Sequence, residues 1–350
     1  MKFIKKDNQK NYLASIEAFP QQIEQTWEEF KAVRLPAEYN QVTRVIINGM
    51  GGSSFGGLVA KALFADQLKV PLEVTNSYAV PAYVDEQTLF VFASYSGSTE
   101  EVLASVGEAL RKGAKGFGIT SGGKLAKKLE ENKVPFFQFE PRFNPSGQPR
   151  AGLGYSITAV IALLNKAGLI KIENFQFSKL IKELSLLAKE FSPQSPQEKN
   201  PAKQIAESFK EKIAILVASD FLAGSLHIFR NQLHETAKNY ANFFLLPELN
   251  HHLMEALSHP QTNPQNLSFL FISSELYHPR VQKRLEITQE VVQKNQIQAL
   301  EYSCRLKNKF AQAFEVILLG SYTSFYLASF YRLDPTRIPW VDYFKSKLKD

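Results

Sequence analysis

Short runs of consecutive apolar residues alternate along the chain with longer segments in which apolar residues recur every three or four positions. In the first half, the short runs cover residues 44–48, 72–75, 88–93, 117–120 and 136–139. They are too continuously apolar for half-exposed strands, which is typical of strands buried on both faces of a sheet. Helical spacing follows several of them, at residues 55–67, 100–112 and 123–132. This alternation predicts a parallel sheet flanked by helices.

The same pattern returns in the second half. A long helical stretch over residues 151–191 is followed by SPQSPQEKNP, at residues 192–201, whose prolines and polar residues predict a linker. Strand-like runs then cover residues 212–218, 268–272 and 297–302, and helical segments cover residues 222–239, 279–295 and 307–331. We therefore predict an α/β protein with a helical N-terminal arm (1–34), a first domain (35–191) and a second domain that ends in a helix (200–350).

The composition fits a soluble globular protein, since 44% of the 350 residues are hydrophobic and 21% are charged. Cys304 is the only cysteine, which excludes an intramolecular disulfide and a multi-cysteine zinc site and favours the reducing cytoplasm. The N-terminus turns polar at Asp7 before an apolar core develops, which argues against a signal peptide. The most apolar stretch, residues 157–170, is shorter than the ~20 residues of a membrane span. No membrane insertion is predicted.

Basic residues outnumber acidic ones, 41 to 34, which gives a net charge of +7. Nucleic acid, a membrane surface and an anionic metabolite are all compatible with this charge. The densest basic clusters, at residues 124–133 and 345–349, are interrupted by apolar positions, as on solvated amphipathic helices. No zinc finger, basic zipper or RNA-stacking motif is present, so we expect no nucleic-acid partner.

A glycine-rich segment, GMGGSSFGG, lies between the first predicted strand and its helix, at residues 49–57. This arrangement presents backbone N–H groups and the positive end of a helix to an anion. It lacks the spacing of the dinucleotide loop and the final Gly-Lys-Ser/Thr of the nucleotide P-loop. A tight turn needed only for packing is the alternative.

A second candidate loop, SYSGSTEE, follows the strand at residues 88–93 and precedes a helix. Hydroxyls beside the first free amides of that helix form a phosphate cradle without lysine. The alternative is a capping box with Ser98 as N-cap and Glu101 as its partner, and the two roles can coexist. A third segment, TSGGK at residues 120–124, is interpreted more simply as a turn and helix start.

The two candidate loops predict a site for a phosphorylated small molecule at the carboxyl edge of a parallel sheet. Arg150, in NPSGQPRAGLGYS, stands before the next helix, where a guanidinium can stabilise developing negative charge on oxygen. A surface arginine near a helix start is the alternative.

Groups able to move protons lie in the second half. Glu235 belongs to a predicted helix, and His251 follows it in a loop; such a pair can act as general base and general acid. The segment HETAK is not the zinc-protease motif HExxH, because Lys238 occupies the position of its second histidine. A solvated carboxylate and an ordinary loop histidine are the alternatives. No ligand cluster surrounds the adjacent His251 and His252, so no metal is expected.

Together, GMGGSSFGG, SYSGSTEE, PRAGLGYS, LPELNHH and DPTRIPWVDYFKSKL resemble the bifunctional phosphoglucose/phosphomannose isomerase family of archaea and bacteria. The resemblance covers nearly the whole chain. LPELNH downstream of the helix glutamate is its more specific mark, because SYSGST alone marks only a SIS (sugar isomerase) domain. The resemblance implies two SIS-type, doubly wound domains with parallel central sheets. It also implies interconversion of glucose 6-phosphate, and of mannose 6-phosphate, with fructose 6-phosphate through a cis-enediolate, without a cofactor.

Matching by motif position, the resemblance assigns two sets of binding residues. The residues that would hold the phosphate are Ser94, Ser96 and Thr99. Those that would line the site are Gly51, Gly52 and Ser53.

The resemblance also assigns roles in the chemistry. Arg150 would stabilise the enediolate, and Glu235 would be the base that moves a proton between C2 and C1. His251 would assist ring opening from the neighbouring subunit, which implies a homodimer. Lys345 matches a lysine of the family's site, with Lys347 as the alternative position.

Several positions depart from the family pattern, which commonly has GMGGSAIGG, SYSGNTEE, NENAK and LPELNHN. This chain has Ser54 and Phe55, Ser98, a HETAK segment and His252 instead. The glutamate, the arginine and the first histidine are kept, so isomerase chemistry is expected to survive better than substrate preference. The alternatives are a non-catalytic SIS module that senses a sugar phosphate and a SIS isomerase of another sugar phosphate.

Overall fold

The structure of the protein, a computed structural model, describes residues 6–348, with side chains from Asp7 onward. The first five residues of the predicted arm lie outside the described residues, and so does the start of the segment that argued against a signal peptide. The last two residues of the predicted second domain, 349 and 350, also lie outside the described residues.

Nine strands and fourteen helices form within residues 6–348. The strands are β1 (Arg44–Asn48), β2 (Leu72–Thr75), β3 (Thr88–Ser94), β4 (Lys115–Thr120), β5 (Phe136–Gln138), β6 (Ile213–Ser219), β7 (Ala241–Leu246), β8 (Leu267–Ser273) and β9 (Gln298–Ser303). The helices are α1 (Lys6–Glu17), α2 (Phe19–Phe30), α3 (Phe55–Leu63), α4 (Glu100–Arg111), α5 (Gly123–Glu131), α6 (Leu153–Lys166), α7 (Asn174–Phe191), α8 (Pro201–Phe209), α9 (Ala223–Gln232), α10 (Leu253–Ala256), α11 (Asn263–Asn266), α12 (Pro279–Lys294), α13 (Lys309–Phe330) and α14 (Pro339–Lys347).

The first sheet is parallel throughout, with the order β2-β1-β3-β4-β5. Helices α4 and α5 cover the face that carries Ile46, Phe90 and Phe92, whereas α3 and α6 lie on the face that carries Val45 and Ile47. The sheet is therefore doubly wound, as the resemblance implied. The strand order reverses between β1 and β3, and ligands of open α/β sheets bind outside the carboxyl ends of the strands at such a point.

The second sheet is also parallel, with the order β7-β6-β8-β9. Its edge strand β7 was missed, because the segment before Pro247 was assigned to a helix and a loop. This strand begins soon after a helix ends, and only its two terminal residues are fully buried. It therefore lacks the buried apolar run that marks β1, β3, β6 and β8.

The predicted helical stretch at residues 151–191 was wrong in one respect, because it forms two helices, α6 and α7. The helical conformation is interrupted at Gly168, whose φ of +70° lies in the left-handed region that favours glycine. The N-terminal helices are not a detached arm. The Trp27 ring on α2 stacks on Phe177 of α7 with centroids 3.8 Å apart, and both helices bury apolar side chains in the main core.

Helix α13, predicted at residues 307–331, runs through the core of the protein. By length and composition it is apolar enough to cross a membrane, but 83% of its most apolar stretch of 18 residues is buried inside the protein. Buried core helices have the same composition, since they are apolar on all sides. Its last turn accepts hydrogen bonds from the backbone N–H groups of Arg332 and Leu333, which begin the segment that leads to α14.

Candidate active site

The glycine-rich loop follows β1 and turns tightly through residues Gly51–Ser53 before α3 begins. A Cβ atom at Gly49 would lie 3.0 Å from the Ala93 carbonyl oxygen, so the close approach to β3 favours glycine. The Ser53 hydroxyl accepts a hydrogen bond of 2.9 Å from the Tyr95 backbone N–H. Gly51, Gly52 and Ser53 are thus held against the loop that follows β3.

The serine loop, residues 94–99, lies at the carboxyl end of β3. Its hydroxyls form two pairs: Ser94 Oγ lies 2.7 Å from Thr99 Oγ1, and Ser96 Oγ lies 2.9 Å from Ser98 Oγ. The capping-box alternative is wrong, because the N-cap of α4 is Thr99, and its side chain makes no capping hydrogen bond. Ser98 is engaged with Ser96 instead. No side chain therefore caps the first amides of α4, which keeps them available to an anion.

The TSGGK segment supports the serine loop. Ser121 Oγ donates a hydrogen bond of 2.7 Å to the Tyr95 carbonyl, and the Leu125 N–H donates one of 2.8 Å to the Gly97 carbonyl. A Cβ atom at Gly97 would lie only 1.8 Å from the Gly122 carbonyl oxygen, so the contact requires glycine. Helix α5 begins here at Gly123, as the simple interpretation of a turn and helix start predicted.

Arg150 is buried, with 7% of its surface exposed, so the surface-arginine alternative is wrong. Its Nη2 donates hydrogen bonds of 2.7 Å to the carbonyls of Pro335 and Thr336, and Nη1 donates one of 3.0 Å to Gln148 Oε1. Within residues 6–348, the buried Nε has no hydrogen-bond partner. Arg150 thus joins the loop before α6 to the segment between α13 and α14 and keeps one N–H without a partner in the described chain.

The Arg150 turn also adjoins the glycine-rich loop. A Cβ atom at Gly52 would lie 3.9 Å from the Pro149 carbonyl oxygen, and Ser156 Oγ donates a hydrogen bond of 3.2 Å to the Gly52 carbonyl. The two candidate phosphate loops and Arg150 therefore belong to one site at the carboxyl edge of the first sheet.

Glu235 lies in a π-helical turn, Leu233–Ala237, that extends α9. Burial raises the pKa of its carboxyl group, and the positive charges of Arg150, His234, Lys345 and Lys238 partly oppose this rise. It is therefore not a freely solvated helix carboxylate. Single π-turns are frequent at functional sites, and a carboxyl group with a raised pKa suits proton transfer near neutral pH.

Lys345 lies on the exposed helix α14, near enough for its charge to act on the Glu235 carboxyl group. The segment before α14 is fixed from two sides. Arg150, in the loop before α6, donates to its carbonyls, and Lys238 Nζ donates a hydrogen bond of 2.8 Å to the Asp334 carbonyl. The structure thus brings together Arg150, Glu235 and Lys345.

The sequence did not reveal what Lys238 does. It has a left-handed backbone conformation with φ of 56°, and its Nζ donates a second hydrogen bond, of 3.0 Å, to the Thr236 carbonyl. Burial, followed by the Arg150 charge, lowers the pKa of its amine to about 8. Its position three residues after Glu235 was visible, but its link to Asp334 depends on the folded chain.

His251 is not brought to Glu235 within one chain. It lies exposed at the end of a short turn, Glu248–His251, that follows the edge strand β7. Its imidazole makes no hydrogen bond or ion pair with any described residue, whereas its neighbour His252 pairs with Glu248 at 2.9 Å. Within residues 6–348, no group of three or more His, Cys, Asp or Glu side chains could hold a metal ion.

Both halves of the chain match known protein families. Residues 38–130 match the SIS domain family, and residues 198–348 match the bacterial phospho-glucose isomerase C-terminal SIS domain. Over 242 residues the chain is 32% identical to a D-glucosamine-6-phosphate 4-epimerase from Sulfolobus acidocaldarius, which covers 68% of this chain and 72% of that protein.

Two similarities extend over almost the full length. A solved structure of a hypothetical protein from Thermus thermophilus has the same fold, with a TM-score of 0.75 at 16% identity over 98% of this chain and 93% of that one. A bifunctional phosphoglucose/phosphomannose isomerase from Caldicellulosiruptor bescii is 33% identical over 342 residues, which cover 96% of this chain and 98% of that protein. The chain therefore belongs to the bifunctional phosphoglucose/phosphomannose isomerase family.

Proposed function

We propose that the protein is an aldose–ketose isomerase that interconverts glucose 6-phosphate and mannose 6-phosphate with fructose 6-phosphate through a cis-enediolate. The observation that carries this proposal is the placement of Glu235, a carboxyl group with a raised pKa, within range of the Arg150 charge. Both belong to the site that contains the serine loop. A regulatory module that only binds a sugar phosphate needs the serine loop but not this acid–base machinery.

The serine loop anchors the phosphate in this proposal. In each hydroxyl pair, Ser94 with Thr99 and Ser96 with Ser98, one hydroxyl donates to the other, and the second keeps its proton free. These free hydroxyls and the uncapped amides of α4 supply donors for a dianion, and the helix end adds favourable charge. The site therefore holds the phosphate mainly with neutral donors.

Glu235 acts on the sugar once its ring has opened. Its carboxylate removes the proton from C2, and electrons move to the C1 carbonyl oxygen. The hydroxyl proton on O2 then passes to O1, which leaves the negative charge on O2, and the protonated acid returns its proton to C1 to give the ketose. Arg150 stabilises the negative charge that develops on oxygen, and its unpaired Nε–H is a donor ready for this purpose. Because C2 is planar in the enediolate, its configuration is lost there, which allows both epimers to be formed.

A product analysis tests the proposed function. The purified protein is incubated with fructose 6-phosphate in the presence of a chelator, and glucose 6-phosphate and mannose 6-phosphate are then separated and measured. We expect both products. Formation of neither would refute the proposal, and formation of one alone would restrict it to one substrate. Glucosamine 6-phosphate is assayed in parallel, because the similarity to the 4-epimerase makes its epimerisation at C4 the competing function.

We infer further that the protein acts as a homodimer in which His251 assists ring opening in the partner's site. Two observations support this inference. His251 is exposed and has no partner among the described residues, and it follows an edge strand. Helix α14 and the residue that follows it also expose a set of large apolar side chains that a partner would cover: Trp340, Tyr343, Phe344 and Leu348.

Mixed dimers test the shared site. Chains carrying Glu235→Gln and chains carrying His251→Ala are each expected to be nearly inactive alone. Coexpressed in equal amounts, they should recover about a quarter of the wild-type activity, because half of the dimers contain one intact site. Coexpression with His252→Ala in place of His251→Ala is the control for the neighbouring imidazole. Proven mixed dimers without recovered activity would show that each site is complete within one chain.

A further inference from the structure

Tyr12, on the N-terminal helix α1, reaches the candidate active site. Its side chain is 2% exposed, and its hydroxyl lies 2.7 Å from Thr236 Oγ1, with which it shares a hydrogen bond. Thr236 follows Glu235 directly in the π-turn. A buried tyrosine hydroxyl requires a polar partner, and here that partner is the residue next to the base.

The aromatic ring of the same tyrosine faces Arg150. The Arg150 guanidinium carbon lies 5.8 Å from the centre of the Tyr12 ring, within the range of a cation–π interaction. Among the described residues, the hydrogen bonds of this guanidinium go to carbonyl and amide oxygens. The ring therefore gives Arg150 a contact that these hydrogen bonds do not supply.

Helix α1 is itself fixed to the elements that carry these groups. Asn8 Nδ2 donates a hydrogen bond of 2.9 Å to Asp334 Oδ2, in the segment that Arg150 and Lys238 bind. On the other side, the hydroxyl of Ser15 accepts a hydrogen bond of 3.1 Å from the Ser146 N–H, in the loop before Arg150. Tyr12 thus lies on α1 between two residues, Asn8 and Ser15, that are hydrogen-bonded to other segments.

We propose that Tyr12 is a positioning residue that fixes the Glu235 turn through its hydroxyl and the Arg150 guanidinium through its ring. This role rests on the proposed function. Proton abstraction and charge stabilisation must be aligned at adjacent atoms of the substrate, and small displacements of either group lower the rate strongly. The N-terminal helix is therefore part of the catalytic machinery rather than only a support for the fold.

Two substitutions separate the two contacts of Tyr12. Tyr12→Phe removes the hydroxyl and keeps the ring, and Tyr12→Leu removes both. We expect kcat for fructose 6-phosphate to fall by about 10-fold in the first variant and by about 100-fold in the second, the range expected for displacements of up to an ångström. The KM should change little, since the serine loop is untouched. The phenylalanine variant should thus partly rescue the defect of the leucine variant.

Tyr39→Phe is the matched control, because Tyr39 is also a buried tyrosine, 5% exposed, whose hydroxyl donates a hydrogen bond of 2.7 Å to the Gly116 carbonyl. It should lower the melting temperature about as much as Tyr12→Phe without lowering kcat. Unchanged kcat in both Tyr12 variants, or an equal loss in Tyr39→Phe, would overturn the positioning role. A wild-type protein without turnover would instead refute the proposed function, so the two failures are distinguishable.

Discussion

Replacing Glu235 with glutamine is expected to lower kcat for fructose 6-phosphate by about 10²–10⁴-fold, the contribution of a positioned general base. Glutamine has nearly the same shape but cannot accept the C2 proton. Steady-state kinetics should show kcat and kcat/KM falling together, because the lost interaction acts in the transition state. Calorimetry with fructose 6-phosphate should show that binding is retained. Turnover comparable with that of the wild type would mean that another group is the base.

The melting temperature of Glu235→Gln, measured against pH, shows whether the variant is folded and whether the buried carboxyl group behaves as expected. Because the pKa of Glu235 is raised in the folded protein, its proton stabilises the fold at low pH, and this contribution is lost as pH rises through the raised pKa. Above that pH the wild type carries a buried charge that Glu235→Gln lacks. The variant should therefore melt at a higher temperature at pH 8, and the difference should shrink toward pH 4. Glu286→Gln, on the exposed surface of α12, should show no such pattern.

Arg150→Met is expected to lower kcat by about 10²–10³-fold, which is the usual effect of removing one group that stabilises an oxyanion. Methionine also leaves the carbonyls of Pro335 and Thr336 without their donor. The segment that precedes α14 should then be cleaved faster in limited proteolysis. Both effects are measurable on the same sample.

Two further variants complete this test: one separates the charge of Arg150 from its geometry, and the other is a control for the loop. Arg150→Lys keeps the positive charge but loses the planar fork that holds two carbonyls, so it should recover only part of the rate. Arg142→Met changes an exposed arginine of the same loop, whose partners are Glu29 and Glu140, and should leave kcat unchanged. A full rate in Arg150→Met would remove this residue from the mechanism, and a similar loss in Arg142→Met would indicate a general disturbance of the loop.

The sequence predicted the core strands of the first sheet closely, because strands buried on both faces have a local apolar signature. It missed β7, which lies at a sheet edge and whose central residues are only half-buried or exposed. The capping-box alternative placed the N-cap of α4 at Ser98, whereas Thr99 occupies that position without a capping bond. Cap geometry depends on how a loop is held, and here the TSGGK turn from the next strand holds it.

What the sequence determined by itself was the placement of two candidate anion-binding loops at one sheet edge and the types of residue available for proton transfer. Strand periodicity and loop composition are local properties, so they can be recognised along the chain. The tertiary structure alone decided the environment of Glu235, which includes Arg150, Lys345 and Tyr12 from three distant segments. Burial and electrostatic contacts set the pKa of a carboxyl group, and these arise only when such segments are packed together.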